Sequence, residues 1–100
     1  MNVECRFFGP FREEVGSRTI TIETDARTYG ELLAEIETRY PELERRLVRD
    51  GSLVGEVVIT KNKRNIRHAD GLETPVEAGD VVRMVPSVYG GAGRQPRSEA

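Results

Sequence analysis

The sequence predicts an α+β roll, in which a mixed sheet of four or five strands carries one main helix on one face. Three observations favour this fold class. Two short segments near the N-terminus alternate apolar and polar residues, an amphipathic helical segment follows them, and a strongly apolar segment lies near residue 85. Because the helix lies between the first strands and the later ones, we expect the first and last strands to pair in parallel through a right-handed crossover.

The first two strands are predicted by their alternation. Val3, Cys5 and Phe7 alternate with polar residues, and Gly9-Pro10 ends the pattern. A short connection follows, and residues 19–23 then alternate again, so the two segments form a plausible hairpin. The residues predicted to fill the connection or to point inward from the second strand are Phe11, Val15, Ile20 and Ile22.

The main helix is predicted to begin at Thr28. Thr28 and Glu31 have the spacing of a capping box, in which the Thr hydroxyl accepts an amide hydrogen bond and the Glu reaches back. Apolar residues then recur at helical spacing, at Leu32, Leu33, Ile36 and Tyr40. Pro41 ends the helix, and residues 41–49 are predicted to continue as a short helix at a new angle. The residues we expect in the core include Leu32, Ile36 and Met84.

Turn residues divide the second half of the chain into short elements. Asp50-Gly51 marks a turn, residues 57–59 begin a third strand, and residues 66–68 are predicted as a short return strand after a polar turn. Residues 72–80 read as a loop with one or two buried apolar anchors. The last strand, 81–85, is apolar at nearly every position, so we expect it at the centre of the sheet, covered by its neighbours and the helix.

Composition excludes several classes of protein. One hundred residues allow one small domain, and the net charge of −2 gives no electrostatic reason to expect nucleic-acid binding. No apolar run approaches a membrane span, and no secretory signal is apparent. One Cys and one His cannot supply a closed zinc site. We therefore expect a cytoplasmic, monomeric domain that binds neither metal, membrane nor nucleic acid.

No catalytic group is predicted, and the sequence does not read as an enzyme. The alternation of the first strand predicts that the Cys5 side chain points inward, where a thiol packs like a small hydrophobic group. His68 lies in a polar loop and is read as solvated. Two basic stretches are read as solvated faces, with docking of an acidic partner as the alternative. The basic residues concerned are Lys61, Lys63, Arg64, Arg67, Arg45, Arg46 and Arg49.

One motif near the C-terminus remains, Gly90-Gly91. Glycines near a terminus are commonly linker. Two glycines at the end of an extended segment also make a thin thread, with no Cβ to obstruct entry into a narrow active-site channel. The motif is weak by itself and stronger at the end of a domain with this order of elements.

Four segments together resemble the MoaD/ThiS-type ubiquitin-like proteins, including the small archaeal modifier proteins. The resemblance covers residues 3–91. The segments that carry it are Phe7-Phe8-Gly9 with Arg12-Glu13, the helix TYGELLAEIETRYPEL, the loop and strand DGLETPVEAGDVV, and the ending VPSVYGG. The resemblance implies a β-grasp fold, in which this protein is a carried group and not the catalyst.

The resemblance also implies a chemistry at the Gly-Gly. An E1-like enzyme that uses ATP would adenylate Gly91, with Gly90 as its flexible neighbour, and this chain itself would bind no cofactor. Gly91 would then become a thiocarboxylate for molybdopterin synthesis, with the molybdopterin synthase large subunit as partner, or for tRNA thiolation. The other fate is an isopeptide bond to a target lysine. The residues implied in the thread gripped by the partner are Pro86, Val88 and Tyr89.

One feature departs from the family pattern, because residues 92–100 follow Gly91. A peptide bond to Ala92 leaves Gly91 with no carboxylate to activate. Three explanations are open: a protease removes the segment, the segment is an artificial addition, or the domain has lost the chemistry and is a β-grasp interaction module with an inert Gly-Gly. We favour processing, which divides the chain into a domain, 1–91, and a flexible extension, 92–100.

The chain offers few amines for modification of its own. Lys61 and Lys63 are the only lysines in the sequence. If this protein is joined to copies of itself, the candidate acceptors are therefore Lys61, Lys63 and the N-terminus.

Overall fold

The computed structural model describes residues 1–86, which form a mixed sheet with one main helix packed against it. The strands are β1 (Asn2–Phe7), β2 (Thr19–Glu23), β3 (Val48–Arg49), β4 (Ser52–Leu53), β5 (Val57–Lys61), β6 (Arg64–Asn65) and β7 (Val81–Pro86). The α-helices are α1 (Pro10–Val15) and α2 (Tyr29–Arg39), and the 3-10 helices are Pro41–Leu43, Ile66–His68 and Gly71–Glu73.

The main sheet has the order β2-β1-β7-β5-β6. β1 pairs antiparallel with β2 and parallel with β7, while β7 pairs antiparallel with β5. The predicted hairpin, the parallel pairing of the first and last strands and the central position of the last strand are therefore confirmed. The α+β roll follows from these pairings.

The core lies between the inner face of the main sheet and α2. Phe7 from β1, Ile59 from β5 and Met84 from β7 are at most 1% exposed. They face the apolar stripe of the helix, whose buried residues are Tyr29, Leu32, Leu33 and Ile36. The predicted burial of Leu32, Ile36 and Met84 is confirmed, since each has 0% exposure.

The start of α2 follows the predicted capping box with one difference. The Thr28 hydroxyl accepts a hydrogen bond from the Glu31 amide at 3.2 Å. The Glu31 carboxylate reaches back to the amide of Arg27, at 2.8 Å, rather than to that of Thr28. Arg27 is fixed beside this first turn because its carbonyl accepts the Val76 amide, within a bridge between Thr28 and Pro75.

The first connection contains a short helix, and the prediction for residues 41–49 is wrong. Residues 10–15 form the short helix α1, which begins at Pro10 and buries Phe11. The predicted helical continuation over 41–49 stops at the 3-10 helix Pro41–Leu43. Arg45 has φ 62°, which no right-handed helix accommodates, and the Glu37 carboxylate accepts the amides of Leu47 and Val48. The chain therefore turns back to form β3.

The predicted return strand at 66–68 is also wrong. Asn62 and Lys63 both have positive φ, 51° and 77°, which makes a two-residue hairpin turn. The return strand β6 therefore begins at once, at Arg64. Residues Ile66–His68 form a 3-10 helix instead, in which the Asn65 side chain accepts the Arg67 amide.

Replacing Ile36 by alanine tests the core. We expect Ile36→Ala to lower the free energy of unfolding by about 2–5 kcal/mol, because it leaves a cavity between helix and sheet. Thr38→Ala, on the exposed side of the same helix, is the matched control and should change stability by about 0.5 kcal/mol or less. Urea unfolding measures both values, and equal losses in the two variants would contradict the assigned core.

Candidate functional site

The candidate site lies at the end of β7, where the chain leaves the centre of the sheet. Pro86 is the last described residue, is buried, and pairs with Val57 of β5. The predicted functional residues Val88, Tyr89, Gly90 and Gly91, together with the extension 92–100, lie outside the described residues. Since Gly91 is the fifth residue after Pro86, a fully extended chain would carry Gly91 at most about 18 Å from Pro86.

A surface cleft of about 440 Å³ lies beside this exit. The Arg46 guanidinium lies 5.1 Å from the centre of the Phe11 ring and forms an ion pair with Glu14. The cleft thus combines an apolar floor with charged side chains at its rim. The residues that line it are Pro10, Phe11, Arg46, Arg49, Val54, Glu56 and Pro86.

The face of the sheet opposite α2 carries a second apolar surface near the exit. Val58 of β5 and Val85 of β7 are directly opposed in the register and are half-buried. Phe8, which follows β1, is also half-buried, with the Arg12 guanidinium 5.8 Å from its ring centre. We call Phe8, Val58 and Val85 the open-face patch.

The open-face patch was not predicted from the sequence, because the apolar residues on both faces of the last strand were expected to be buried. A signal was present: Phe7-Phe8 and Val57-Val58 place an apolar residue on both faces of a strand. The helix covers only one of those faces, so the second residue of each pair stays half-exposed.

A buried polar cluster fixes the opposite end of β7. The Asp80 carboxylate accepts hydrogen bonds from the Tyr29 hydroxyl, the Asn62 side-chain amide and the Glu77 backbone amide, each at 3.0 Å. The Lys61 ammonium lies 3.7 Å from the same carboxylate. Asp80 is only 2% exposed, so these partners replace the water that its charge would otherwise require.

The family follows from comparison with known proteins. The ThiS family profile matches residues 5–91. The chain belongs to the ThiS family. It is 41% identical over 93 residues to small archaeal modifier protein 3 of Haloferax volcanii, where 91% of this chain covers the whole relative. It is 30% identical over 94 residues to the sulfur carrier protein CysO of Mycobacterium tuberculosis, again with 91% of this chain covering the whole relative.

A solved structure of a Haloferax volcanii protein confirms the fold. That solution structure is 40% identical to this ThiS-family chain, with a TM-score of 0.80, and the match covers 91% of this chain and 87% of the other. The predicted ubiquitin-like β-grasp fold is therefore confirmed, and so is the predicted family.

The structure separates the two predicted acceptor lysines of this ThiS-family chain. The Lys61 side chain is 16% exposed, and its ammonium donates to the Pro75 carbonyl and pairs with Glu77, both at 2.7 Å. Lys63 is exposed at the tip of the turn between β5 and β6. Two lysines that are equivalent in the sequence thus have different surroundings.

The other titratable candidates lie apart from the exit. Burial raises the pKa of the Cys5 thiol to about 12, so the nucleophilic thiolate is scarce near neutral pH. Burial and the neighbouring Asp80 raise the pKa of Tyr29 as well. His68 is exposed on a 3-10 helix. Among residues 1–86, no three His, Cys, Asp or Glu side chains are grouped to hold a metal ion.

The two predicted basic stretches are partly structural. Arg67 donates to the carbonyls of Val54 and Val57, at 2.6 and 3.1 Å, and so ties the 3-10 helix to the start of β5. Arg46 is held by Glu14 and Phe11, as described for the cleft. Within the described part of the chain, no helix is both long and apolar enough to cross a membrane.

Replacing Asp80 by alanine tests the polar cluster. We expect Asp80→Ala to lower the free energy of unfolding by about 3 kcal/mol, because it leaves the buried Tyr29 hydroxyl and the Asn62 side-chain amide without their acceptor and removes a charge that pairs with Lys61. Asp80→Asn keeps an acceptor oxygen and should lose less. The exposed Asp70→Ala is the control for a change of charge, with an expected loss of about 0.5 kcal/mol or less. Urea unfolding of all four proteins would contradict the assignment if Asp80→Ala matched Asp70→Ala.

Proposed function

We propose that this ThiS-family chain is a ubiquitin-like carrier whose working group is the carboxyl of Gly91, freed when a protease removes residues 92–100. One observation carries the proposal: the family match ends at residue 91, the second glycine of the Gly-Gly pair. The central position of β7 supports it, because the segment that leads to Gly91 starts from a strand that is paired on both sides.

The proposed chemistry begins with activation by an E1-like enzyme. A carboxylate oxygen of Gly91 attacks the α-phosphorus of ATP, an acyl adenylate forms, and pyrophosphate leaves. ATP is bound by the partner enzyme, and this chain binds no cofactor of its own. Glycine at 90 and 91 allows the backbone to approach the nucleotide closely, because no Cβ stands in the way.

The acyl adenylate has two proposed fates. Sulfide attacks the carbonyl carbon, AMP leaves, and a thiocarboxylate remains for molybdopterin synthesis or tRNA thiolation. In the other fate a target lysine attacks the same carbon, AMP leaves, and an isopeptide bond forms. The names of the relatives support both, since one is a small archaeal modifier and another a sulfur carrier. In either fate this chain is the carried group and not the enzyme. We propose that the protein is a monomer in the cytoplasm, where ATP is available.

Partner enzymes are proposed to contact the exit end of the domain. The cleft and the open-face patch both lie near the end of β7, where Pro86 begins the segment that a partner would grip together with Val88 and Tyr89. Half-buried apolar side chains beside arginines suit a docking surface that loses water on binding. A molybdopterin synthase large subunit is one proposed partner on the sulfur-transfer branch.

A β-grasp interaction module with an inert Gly-Gly is the competing function. The presence of Ala92–Ala100 after Gly91 favours it, because an internal glycine has no carboxylate to adenylate. The two functions differ in one property, which is whether a chain ending at Gly91 becomes a substrate for adenylation.

An ATP–pyrophosphate exchange assay with the E1-like enzyme of the same host tests that property. We expect the chain ending at Gly91 to support exchange at least about tenfold faster than the full chain. Gly90→Ala should slow exchange by the shorter chain, since it adds a Cβ to the thread. Gly55→Ala is the matched control, because a Cβ there meets nothing within 4 Å, and it should exchange like the parent. Equal, background exchange by the short and full chains would favour the inert module.

A further inference from the structure

The open-face patch forms a row of side chains across three strands at the exit end of the sheet. Val58 and Val85 are paired in the register of β5 with β7. The Phe8 amide donates to the carbonyl of Met84, the residue before Val85, which places Phe8 on the other side of β7. The three side chains of the patch are half-buried, so a partner that covers the row removes apolar surface from water.

A polar row lies directly behind the patch on the same face of the sheet. Because side chains on one face recur at every second residue of a strand, the next row consists of Arg6, Arg83 and Thr60, about 7 Å from the patch. The register pairs Arg83 with Arg6 on β1 and with Thr60 on β5. We call these three residues the polar row.

The two arginines of the polar row differ in their partners. The Arg6 guanidinium forms an ion pair with the Glu4 carboxylate at 2.5 Å. Within residues 1–86, Arg83 forms no salt bridge, and its Nη1 atom is buried without a hydrogen-bond partner. The Thr60 hydroxyl beside it is buried and without a partner as well. Arg83 as a whole is only half-buried, so a partner can reach its side chain from the open face.

The charge of Arg83 restricts what can cover the patch. Because the two rows adjoin, a protein that covers the patch also removes the Arg83 guanidinium from water. An unpaired charge is costly to desolvate unless the partner supplies an opposite charge and hydrogen-bond acceptors. A carboxylate meets both needs, since its two oxygens accept a bidentate pair of hydrogen bonds from a guanidinium and have lone pairs left for a hydroxyl such as that of Thr60.

We infer that Arg83 determines which protein docks on the open-face patch, by pairing with an Asp or Glu carboxylate of the E1-like enzyme; this inference rests on the proposed function. The patch supplies the apolar contact area, and Arg83 supplies the selection, because an enzyme without the carboxylate would bury the guanidinium unpaired. Arg83 lies eight residues before Gly91, away from the reacting carboxyl. It is therefore a positioning residue, which acts on binding of the carrier and not on the chemical step.

ATP–pyrophosphate exchange with the E1-like enzyme of the same host tests this selection, with the chain that ends at Gly91. We expect Arg83→Gln to raise the carrier concentration for half-maximal exchange at least about tenfold and to leave the maximal rate within about twofold of the parent. Arg27→Gln is the matched control, because it removes the same charge from an exposed residue at the start of α2, and it should exchange like the parent. Thermal melting of both variants checks that they fold.

Carbodiimide coupling tests the identity of the partner group. Arg83→Lys places a primary amine where the guanidinium was, and a carbodiimide condenses an amine with a neighbouring carboxylate to an amide, with release of a urea. Peptide mapping by mass spectrometry should find this amine joined to an Asp or Glu of the enzyme. Arg27→Lys is the matched control and should not be joined. Coupling of the two variants to the same extent, or no coupling through Arg83→Lys, would overturn the inference.

The outcomes separate this inference from the proposed function. If the parent supports exchange and Arg83→Gln has an unchanged half-maximal concentration, the role of Arg83 is overturned and the carrier function stands. A lower maximal rate at an unchanged half-maximal concentration would overturn it too, because the residue would then act on the chemical step. If the parent chain ending at Gly91 supports no exchange, the proposed function fails and the inference fails with it.

Discussion

The carboxylate of Asp80 joins the segments that meet where β7 begins. Its side chain binds the hydroxyl of Tyr29 from α2, the amide of Asn62 from the hairpin turn and the ammonium of Lys61 from β5. Its backbone carbonyl accepts the Glu4 amide of β1 at 2.9 Å. Asp80 therefore connects α2, β1 and β5. These contacts fix the register of β7 relative to its neighbouring strands. A buried charge tolerates little displacement, because any lost partner leaves it unsatisfied.

The two ends of β7 consequently have different roles. The Asp80 end is polar, buried and closed, and it uses one of the two lysines as a structural cation. The Pro86 end borders a cleft and the open-face patch, and the chain leaves there toward Gly91. In the proposed carrier, partner enzymes bind the folded domain, and the segment that follows β7 supplies the reacting carboxyl.

Local signals predicted much of the fold. Alternation placed β1 and β2, and the Thr28–Glu31 spacing placed the start of α2. The failures have physical causes. Arg45 and Lys63 adopt positive φ although neither is glycine, and the Glu37 contact that ends the continuation after Pro41 spans ten residues. Of the candidate site, the Gly-Gly motif and both lysines were found, whereas the Asp80 cluster and the open-face patch were not, because both depend on tertiary pairing.

The proposed carrier function requires that Gly91 becomes a free C-terminal carboxyl, which the intact mass of the protein purified from its native host would reveal. We expect a mature chain that lacks residues 92–100, with a fraction in which sulfur replaces one carboxylate oxygen or in which Gly91 is bound to another protein. A protein that retains Ala92–Ala100 in every form would contradict the carrier function.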